Sequence, residues 1–452
     1  MTSPDQQVPP LPPGWRTCVL DDLKADIANA IVGGPFGSEL VRSDYTEHGV
    51  PIIRGTNLGT GERRFYTDDF VFVSESKADA LTRHTAYPGD VIVTQRGTLG
   101  QVGLVPAGTQ WSRFILSQSQ MKLTLDKAKA DPEFIYYWLL TPESRDYTER
   151  HAITTGVPHT NLAILRQTPV RLPPPDQQRS IASALGTLDA RIETCEAMND
   201  DLDRLARLVF RSWFRDFTPT YARRDNTLHE STDPAEAALF PDDVEASEIG
   251  RIPRGWVPTP VANLAAFNNG TAFNQDDLCP STHVGSKPII KIGEIKRGLS
   301  DQTQYTRTPR RSRPIDSGDL LMSWSGNPQT SIGTFLWHGG PAWLNQHIFK
   351  VEPPAAHWKS FMYCLLRELQ PKFVEFARSK QTTGLGHFTQ ADLRTLLVAR
   401  PPDTLVQAFD RRVAPVFAKI SANGAMLRDL GKTREHLLVS LTRGTLPAPG
   451  VH

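Results

Sequence analysis

Apolar positions along the chain change their period twice, in the same order each time. Residues 51–55 (PIIRG), 89–97 (GDVIVTQRG) and 120–125 (QMKLTL) are short runs rich in aliphatic and β-branched residues, and they predict strands. A Gly-Asp pair before each central run suits a tight turn. "EFIYYWLL" (133–140) and "KSFMYCLL" (359–366) predict short amphipathic helices, and Asn161 and Thr389 stand as N-caps before further helical stretches. "VRLPPP" and "VARPPD" close these regions, because consecutive prolines stop both helix and ladder. The period then lengthens. Ile181, Leu185, Leu188, Ile192, Cys195, Asn199, Leu202, Ala206, Val209 and Trp213 fall at alternating steps of four and three, a heptad seam with a polar break at Asn199. Phe409, Val413, Val416, Ile420, Asn423, Leu427, Leu430, Arg434, Leu437 and Leu441 repeat the steps. Roughly forty residues at ~1.5 Å each make a rod of about 60 Å. A lone rod with one apolar stripe would be unstable, so the seams predict a two-helix coiled coil, and the length of the segment between the rods favours the antiparallel pairing. Residues 218–250 are polar and acidic without sustained period, and predict a linker long enough to bring the chain back along the first rod.

The recurrence is literal in places. "TTGVPH" (154–159) returns as "TTGLGH" (382–387), with Gly156 and Gly384, and His159 and His387, 228 positions apart. The same offset relates Leu116 to Leu344, Gln118 to Gln346, Lys122 to Lys350 and Pro173 to Pro401, and "GDVIVTQRG" lies over "GDLLMSWSG" (318–326) with a one-residue slip. "LPPGW" (11–15) answers "IPRGW" (252–256). So long a period is a domain duplication and no solenoid repeat, and it predicts two copies of one fold related by a pseudo-two-fold axis. The fold class expected is α+β: two similar mixed α/β domains separated by two long helices that form the coiled coil.

A chain of 452 residues suits two or three domains. Fifty Lys and Arg against 49 Asp and Glu leave a formal charge of +1, so any DNA-facing surface must come from local clustering or be shared with a more basic partner. Cys18, Cys195, Cys279 and Cys364 are scattered, with no zinc spacing and no disulfide framework, which fits a reducing compartment. The polar, Pro-rich N-terminus has no signal-peptide pattern and no apolar run approaches ~20 residues, so a cytoplasmic protein is expected.

Motifs for catalysis do not assemble. There is no P-loop, no H-E-x-x-H, no glycine-rich fingerprint for S-adenosylmethionine and no N-P-P-Y or D-P-P-F. "GGPFGSEL" (33–40) reads as a turn. His159 and His387 suit either a phosphate or base contact or the closing of a turn, and the turn is preferred. No nucleophile and acid recur with them. What the loops offer instead is side chains suited to base edges and phosphates: Arg54, Asn57, Arg63, Arg64, Arg96, Thr98, Gln101, Arg113, Gln118 and Gln120 in the first copy. The second offers Lys291, Lys296, Arg297, Arg310, Arg311, Ser325, Asn327, Gln329, Asn345, Gln346 and His347. Any one of these could be an ordinary solvated loop residue. Together they differ between copies while the apolar framework agrees, as two readers of different half-sites should. Phe210, Trp213, Phe214 and Phe217 form an i, i+3, i+4, i+7 cluster whose counterparts are Leu438, Leu441, Thr442 and Thr445. It predicts a partner-docking site present in one copy, or a cap on the coiled coil.

The duplicated "P-x-GW" openings, "GDVIVTQRG" and "GDLLMSWSG", the Thr-Thr-Gly turns, "DQQRSIASALGTLDARIE", "FRSWFRDF" (210–217) and "LFPDDVEASEIGRIPRGW" resemble the specificity subunits of type I restriction–modification systems over nearly the whole chain. The resemblance implies target recognition domains over 1–176 and 251–403, conserved spacer helices over 177–217 and 404–444, and the linker over 218–250 between them. It implies a non-catalytic chain that binds double-stranded DNA at a bipartite target and docks two methyltransferase subunits, with restriction endonuclease subunits joining for cleavage. It implies no cofactor here: S-adenosylmethionine, ATP and Mg belong to the partners. The competing readings are a stand-alone DNA-modifying enzyme with a diverged site and a coiled-coil adaptor with no DNA role.

Overall fold

Each short apolar run becomes a strand by finding a partner far along the chain. The computed structural model describes residues 10–449 apart from 62, 68, 155–157, 230–232, 301, 308–312 and 382–383. The chain divides into two units, Met1–Thr194 with Leu430–His452, and Cys195–Asp429.

In the first unit a four-stranded antiparallel sheet runs in the order Ile31–Gly33, Gln120–Leu123, Val91–Thr94, Val102–Leu104. Met121 sits opposite Gly33 on one side and Val93 on the other. A second sheet runs Tyr45–Thr46, Val71–Val73, Val50–Ile53, Phe114–Leu116, Thr85–Ala86, with Val50–Ile53 parallel to Phe114–Leu116. Arg16–Val19 pairs with Pro169–Leu172. Helix Pro132–Leu139 starts where the Asp131 carboxylate accepts from the Glu133 and Phe134 amides at 2.8 and 3.1 Å, with proline at the first helical position. It buries Phe134, Ile135, Tyr136 and Tyr137 completely, each worth about 1.5–3 kcal/mol if its whole side chain leaves water.

The second unit repeats the plan. Its antiparallel sheet runs Ala266–Asn269, Ile348–Glu352, Leu320–Ser323, Gly333–Leu336. Its second sheet runs Tyr305–Thr306, Lys287–Ile290, Ala342–Leu344, Pro314–Ile315, and again the inner pair is parallel. Val257–Pro260 pairs with Leu397–Arg400 as Arg16–Val19 does with Pro169–Leu172. Tyr45–Thr46 in the first unit and the hairpin of Val244–Ser247 with Gly250–Pro253 in the second lack counterparts among the described strands. The duplication read from the apolar pattern is therefore a duplication of topology.

Helices Pro175–Phe210 and Asp403–Arg443 each contribute to both units. Within the first unit, Ile181 and Leu185 share a core with Leu438 and Leu441, and Asp189 accepts from Arg434. Within the second, Cys195 Sγ lies 3.6 Å from Met426 Sδ, Asn423 Nδ2 donates to Asn199 Oδ1 at 2.9 Å, and the Phe210 and Phe409 rings are 5.9 Å apart. In either unit the partner's number falls as the first helix advances, which is antiparallel pairing. The polar break at half-buried Asn199 is thus matched by Asn423, so the buried Asn423 amide has a partner. No described helix is long and apolar enough to cross a membrane.

Two expectations need correction here. The aromatic cluster is not an exposed docking patch: Phe210, Trp213 and Phe214 are buried among Phe240, Trp256, Phe361 and Phe409, and Phe217 packs against Trp256. Four aromatics at helical spacing gain most by entering a core, and helix Trp358–Glu368 supplies one. Residues 218–250 are also more than a linker. They form helices Thr218–Arg224 and Pro234–Ala237 and strand Val244–Ser247, and Phe240 and Val244 are buried. Arg223 donates to the Ala238 and Phe240 carbonyls, tying the segment together without any periodic signal.

Candidate nucleic-acid interface

In both units the strand ends converge on one small construction made of main-chain bonds. In the first, Ser117 N–H donates to Ile53 O (2.9 Å), Gln95 N–H to Ser119 O (2.7 Å), Thr160 N–H to Gln95 O (2.9 Å) and Gly34 N–H to Gln120 O (2.8 Å). In the second, Asn345 donates to Ile290 O (3.1 Å), Trp324 to His347 O (3.3 Å), Phe388 to Trp324 O (3.1 Å) and Gly270 to Ile348 O (3.0 Å). Each bond in one unit has its counterpart in the other. The histidines that end the two repeated phrases lie at this joint: His159 bridges Arg96 through the backbone, and Gly386–His387 pairs with Ser325–Gly326. Both histidines pair through their backbones with the strand-end segment, His159 with Arg96 and His387 with Ser325. Residues 155–157 and 382–383 lie outside the described residues.

Glycine is required where the strand passes under the loop. A Cβ on Gly34 would stand 1.9 Å from Ser117 O, and one on Gly270 2.2 Å from Leu344 O and 2.3 Å from Asn345 O. "GGPFGSEL" is therefore a close approach as well as a turn. Because the joint is held by backbone groups, the side chains on it are free to differ without loss of the frame. Arg96, Thr98 and Gln118 are exposed on the first, and Asn327, Gln329, Gln346 and His347 on the second, with Ser325 and Asn345 half-buried. Asn327 Oδ1 accepts from the Gln329 and Thr330 amides (3.0 and 3.2 Å), and Asn345 Oδ1 from the His347 amide (3.2 Å), so these two also shape their turns. Lys291 Nζ donates to Gln304 at 2.7 Å, and Lys296 to the Thr330 carbonyl. Both lysines are exposed. Arg297 ends helix Ile292–Arg297, but its side chain, and Arg310 and Arg311 entirely, lie outside the described residues.

Several expected base readers instead hold the fold. Asn57 is fully buried. It accepts from the Arg54 amide (2.8 Å) and donates to Tyr66 O (3.0 Å). Gln101 donates to the Gly55 and Leu58 carbonyls (3.2 Å each) and accepts from Thr94 (3.1 Å), leaving its amide occupied at both ends. Gln120 is fully buried and accepts from Ser117 Oγ. Arg54 pairs with Asp69 at 3.0 Å, Arg113 chelates Glu75 and Asp79, and Arg63 lies over the Tyr66 ring. Apart from Arg63, the physical reason is shared: polar side chains beside strand ends are the nearest partners for loop carbonyls, amides and carboxylates that would otherwise be unsatisfied.

Arg64 corrects the expectation furthest. It donates to Tyr137 Oη at 2.9 Å and pairs with Glu133 (3.2 Å) and Asp189 (3.6 Å). Tyr137 donates to Asp189 at 2.7 Å, and Arg434 closes the group. Burial pushes the Tyr137 phenol well up, Asp189 adds to this, and Arg64 opposes it. Burial alone lowers the Arg64 guanidinium, but Tyr137, Glu133 and Asp189 together raise it. The second unit has an analogue: Tyr363 donates to Asp203 (2.6 Å), which also takes Arg207 (2.9 Å) and Arg367 (3.3 Å). Asp189 and Asp203 lie two heptads apart on the same helix, so each globular layer is pinned to that helix by a tyrosine. Neither aspartate stands out in the heptad pattern, since an aspartate beside a seam reads as solvated.

Sequence reading also missed Met198, Leu205 and Leu208, exposed on the first long helix at spacings of seven and three. They form a second, uncovered apolar stripe, visible only once the paired seam is known.

The family model for the type I restriction modification DNA specificity domain matches residues 46–204 and again 253–407, more than half of the chain. The chain belongs to this family. The two matches fall on the two copies of the repeated fold. Relatives include the type I restriction enzyme MjaIX specificity subunit of Methanocaldococcus jannaschii, 20% identical over 96% of this chain and 94% of its own. The HindI specificity subunit of Haemophilus influenzae is 22% identical over 70% and 77%. Among solved structures, the type I restriction–modification S subunit from M. genitalium is 16% identical, covers 97% of both chains and has a TM-score of 0.49.

Proposed function

We propose that this specificity subunit reads a bipartite duplex, one half-site with each backbone-built joint, and that it carries no catalytic group of its own. The observation that carries the reading is the pairing of a frame repeated bond for bond with exposed side chains that differ. Arg96, Thr98 and Gln118 face one set of base edges, and Asn327, Gln346 and His347 another. The paired helices act as the ruler between half-sites. The uncovered stripe of Met198, Leu205 and Leu208 supports docking of methyltransferase subunits, two in the full assembly, in place of the buried aromatic cluster. S-adenosylmethionine, ATP and Mg are then held by methyltransferase and endonuclease partners, and the complex works on DNA in the cytoplasm. Near-zero net charge on this chain suits a phosphate surface shared with such partners.

The test is selection from random duplex DNA by the chain reconstituted with its methyltransferase partner. Two short specified blocks with a set gap are expected. Removing one heptad from each long helix shortens the ruler by about 10 Å, and the preferred gap should shift by roughly three base pairs. No preference for any split sequence would overturn the proposal, and an unchanged gap would remove the helices as ruler.

A further inference from the structure

Residues 34–46 leave the reading joint at Gly34 and end in strand Tyr45–Thr46, and they form two tight turns, each closed by an acid. Glu39 accepts from the Phe36 amide at 3.1 Å and lies 3.7 Å from His84 Nε2. Asp44 accepts from the Val41 amide at 2.8 Å and pairs with Lys77 at 3.1 Å. His84 Nδ1 is 2.7 Å from Gly33 O, so the base of the loop is fastened as well. Both carboxylates are engaged within the fold. The side chains facing outward are of another kind: Phe36 is 59% exposed, Val41 40% and Tyr45 36%. Arg42 is exposed and has no ion-pair partner among the described residues.

Large apolar side chains held out on a fastened loop mark a contact surface. Its place indicates which. The Gly34 Cβ position is 3.0 Å from the Gln118 amide, and Phe36 is two residues on, within about 7 Å of chain. An exposed aromatic and an exposed guanidinium carried on one loop are the equipment with which proteins unstack a base step and grip the backbone around it. We propose that the 34–46 loop is a DNA wedge of the first half-site, with Phe36 entering against a base step and Arg42 holding the phosphates beside it. This rests on the reading of the joint as a DNA interface. In the second unit Asp277 closes the amide of Asn274 as Glu39 closes that of Phe36, and the aromatic of that segment, Phe273, is half-buried where Phe36 is exposed, so the wedge is assigned to the first half-site.

The experiment uses the full chain with its methyltransferase partner and the duplex selected by wild type, with 2-aminopurine placed in turn at each position of both half-sites. Beyond the rise that base extrusion by the methyltransferase gives at its target in either half-site, wild type should give a further fluorescence rise at one step of the first half-site only. Phe36→Ala should lose that rise and about tenfold in affinity, with relaxed preference at that step and an unchanged second half-site. Phe36→Trp should keep all three. Arg42→Ala should weaken binding to all sequences and lower the salt slope by about one. If Phe36→Ala keeps affinity, letter preference and fluorescence, the wedge is wrong while half-site reading stands. If it loses the methyltransferase subunit but not DNA, the loop is a protein-docking surface and the wedge is again wrong. If wild type selects no split sequence, the reading beneath both fails. The substituted side chain is exposed, so an unchanged melting temperature serves as the folding control.

Discussion

Alanine at Gly34 or at Gly270 separates the two joints. The new Cβ at position 34 would meet Ser117 O at 1.9 Å, whereas a Cβ contact under 3.0 Å is not sustained. Neither glycine has a left-handed φ, so the penalty is steric. The 117–120 loop must retreat by about 1 Å, which carries the Gly34–Gln120 bond from 2.8 Å and the Ser117–Ile53 bond from 2.9 Å past the hydrogen-bond limit. Two main-chain bonds at ~0.5–1.5 kcal/mol each put the stability loss at roughly 1–3 kcal/mol. The same retreat displaces Gln118, and losing one bidentate base contact costs about 1–3 kcal/mol of discrimination, ~5- to 150-fold. The assay is half-site-resolved DNA selection with hydrogen exchange at the Ser117 and Asn345 amides. Gly34→Ala should relax the first block only and speed exchange at Ser117. Gly270→Ala should do the mirror image. Equal damage to both blocks from either variant would refute the idea of two independent backbone-held readers.

Arg96→Ala should reduce first-half recognition with an unchanged melting temperature, whereas Gln101→Ala should lower the melting temperature by freeing three internal partners; the reverse pattern would put Gln101 on DNA. Asp189→Ala strands Arg434, whose side chain is only 12% exposed, and should cost about 3–5 kcal/mol in guanidinium denaturation. Asp203→Ala leaves Arg207 and Arg367, each about a third exposed, and should cost only about 1–2 kcal/mol. Comparable losses would contradict the burial argument. At Asp392 burial raises the carboxyl, but Lys380 and Thr389 outweigh it and hold it below its ordinary value of 3.8. A carboxyl depressed in the fold stabilises above its unfolded value and loses that contribution as pH falls through the folded one. The stability gap between wild type and Asp392→Asn should therefore be present at neutral pH and close below pH 3.8, as followed by melting at each pH.

Much of the architecture is written locally. Strand runs bounded by Gly, Pro and Asp, the Asn161 cap, whose Oδ1 accepts from the Ile164 amide, and two heptad seams are properties of neighbours in sequence. At Thr389 the cap works the other way, with Asp392 accepting from the threonine amide and hydroxyl. Repetition at a constant offset then made the two-copy plan and its family legible without any contact being known.

The division of labour among polar residues was not legible. Arg54, Asn57, Arg64, Gln101, Arg113 and Gln120 look on paper like Arg96 and Gln118. What separates them is whether an internal partner lies within about 3 Å, and that is set by how the loops turn and pack: some partners are a few residues off, as Ser117 is for Gln120, and others tens of residues away, as Tyr137 is for Arg64. The same holds for Phe210, Trp213 and Phe214, which helix Trp358–Glu368 covers. Sequence alone determined the duplicated elements and the paired rods, because apolar period is a local property. Tertiary structure decided which polar and aromatic side chains are tied into the fold and which stay exposed, because satisfaction of a buried group depends on what folds against it.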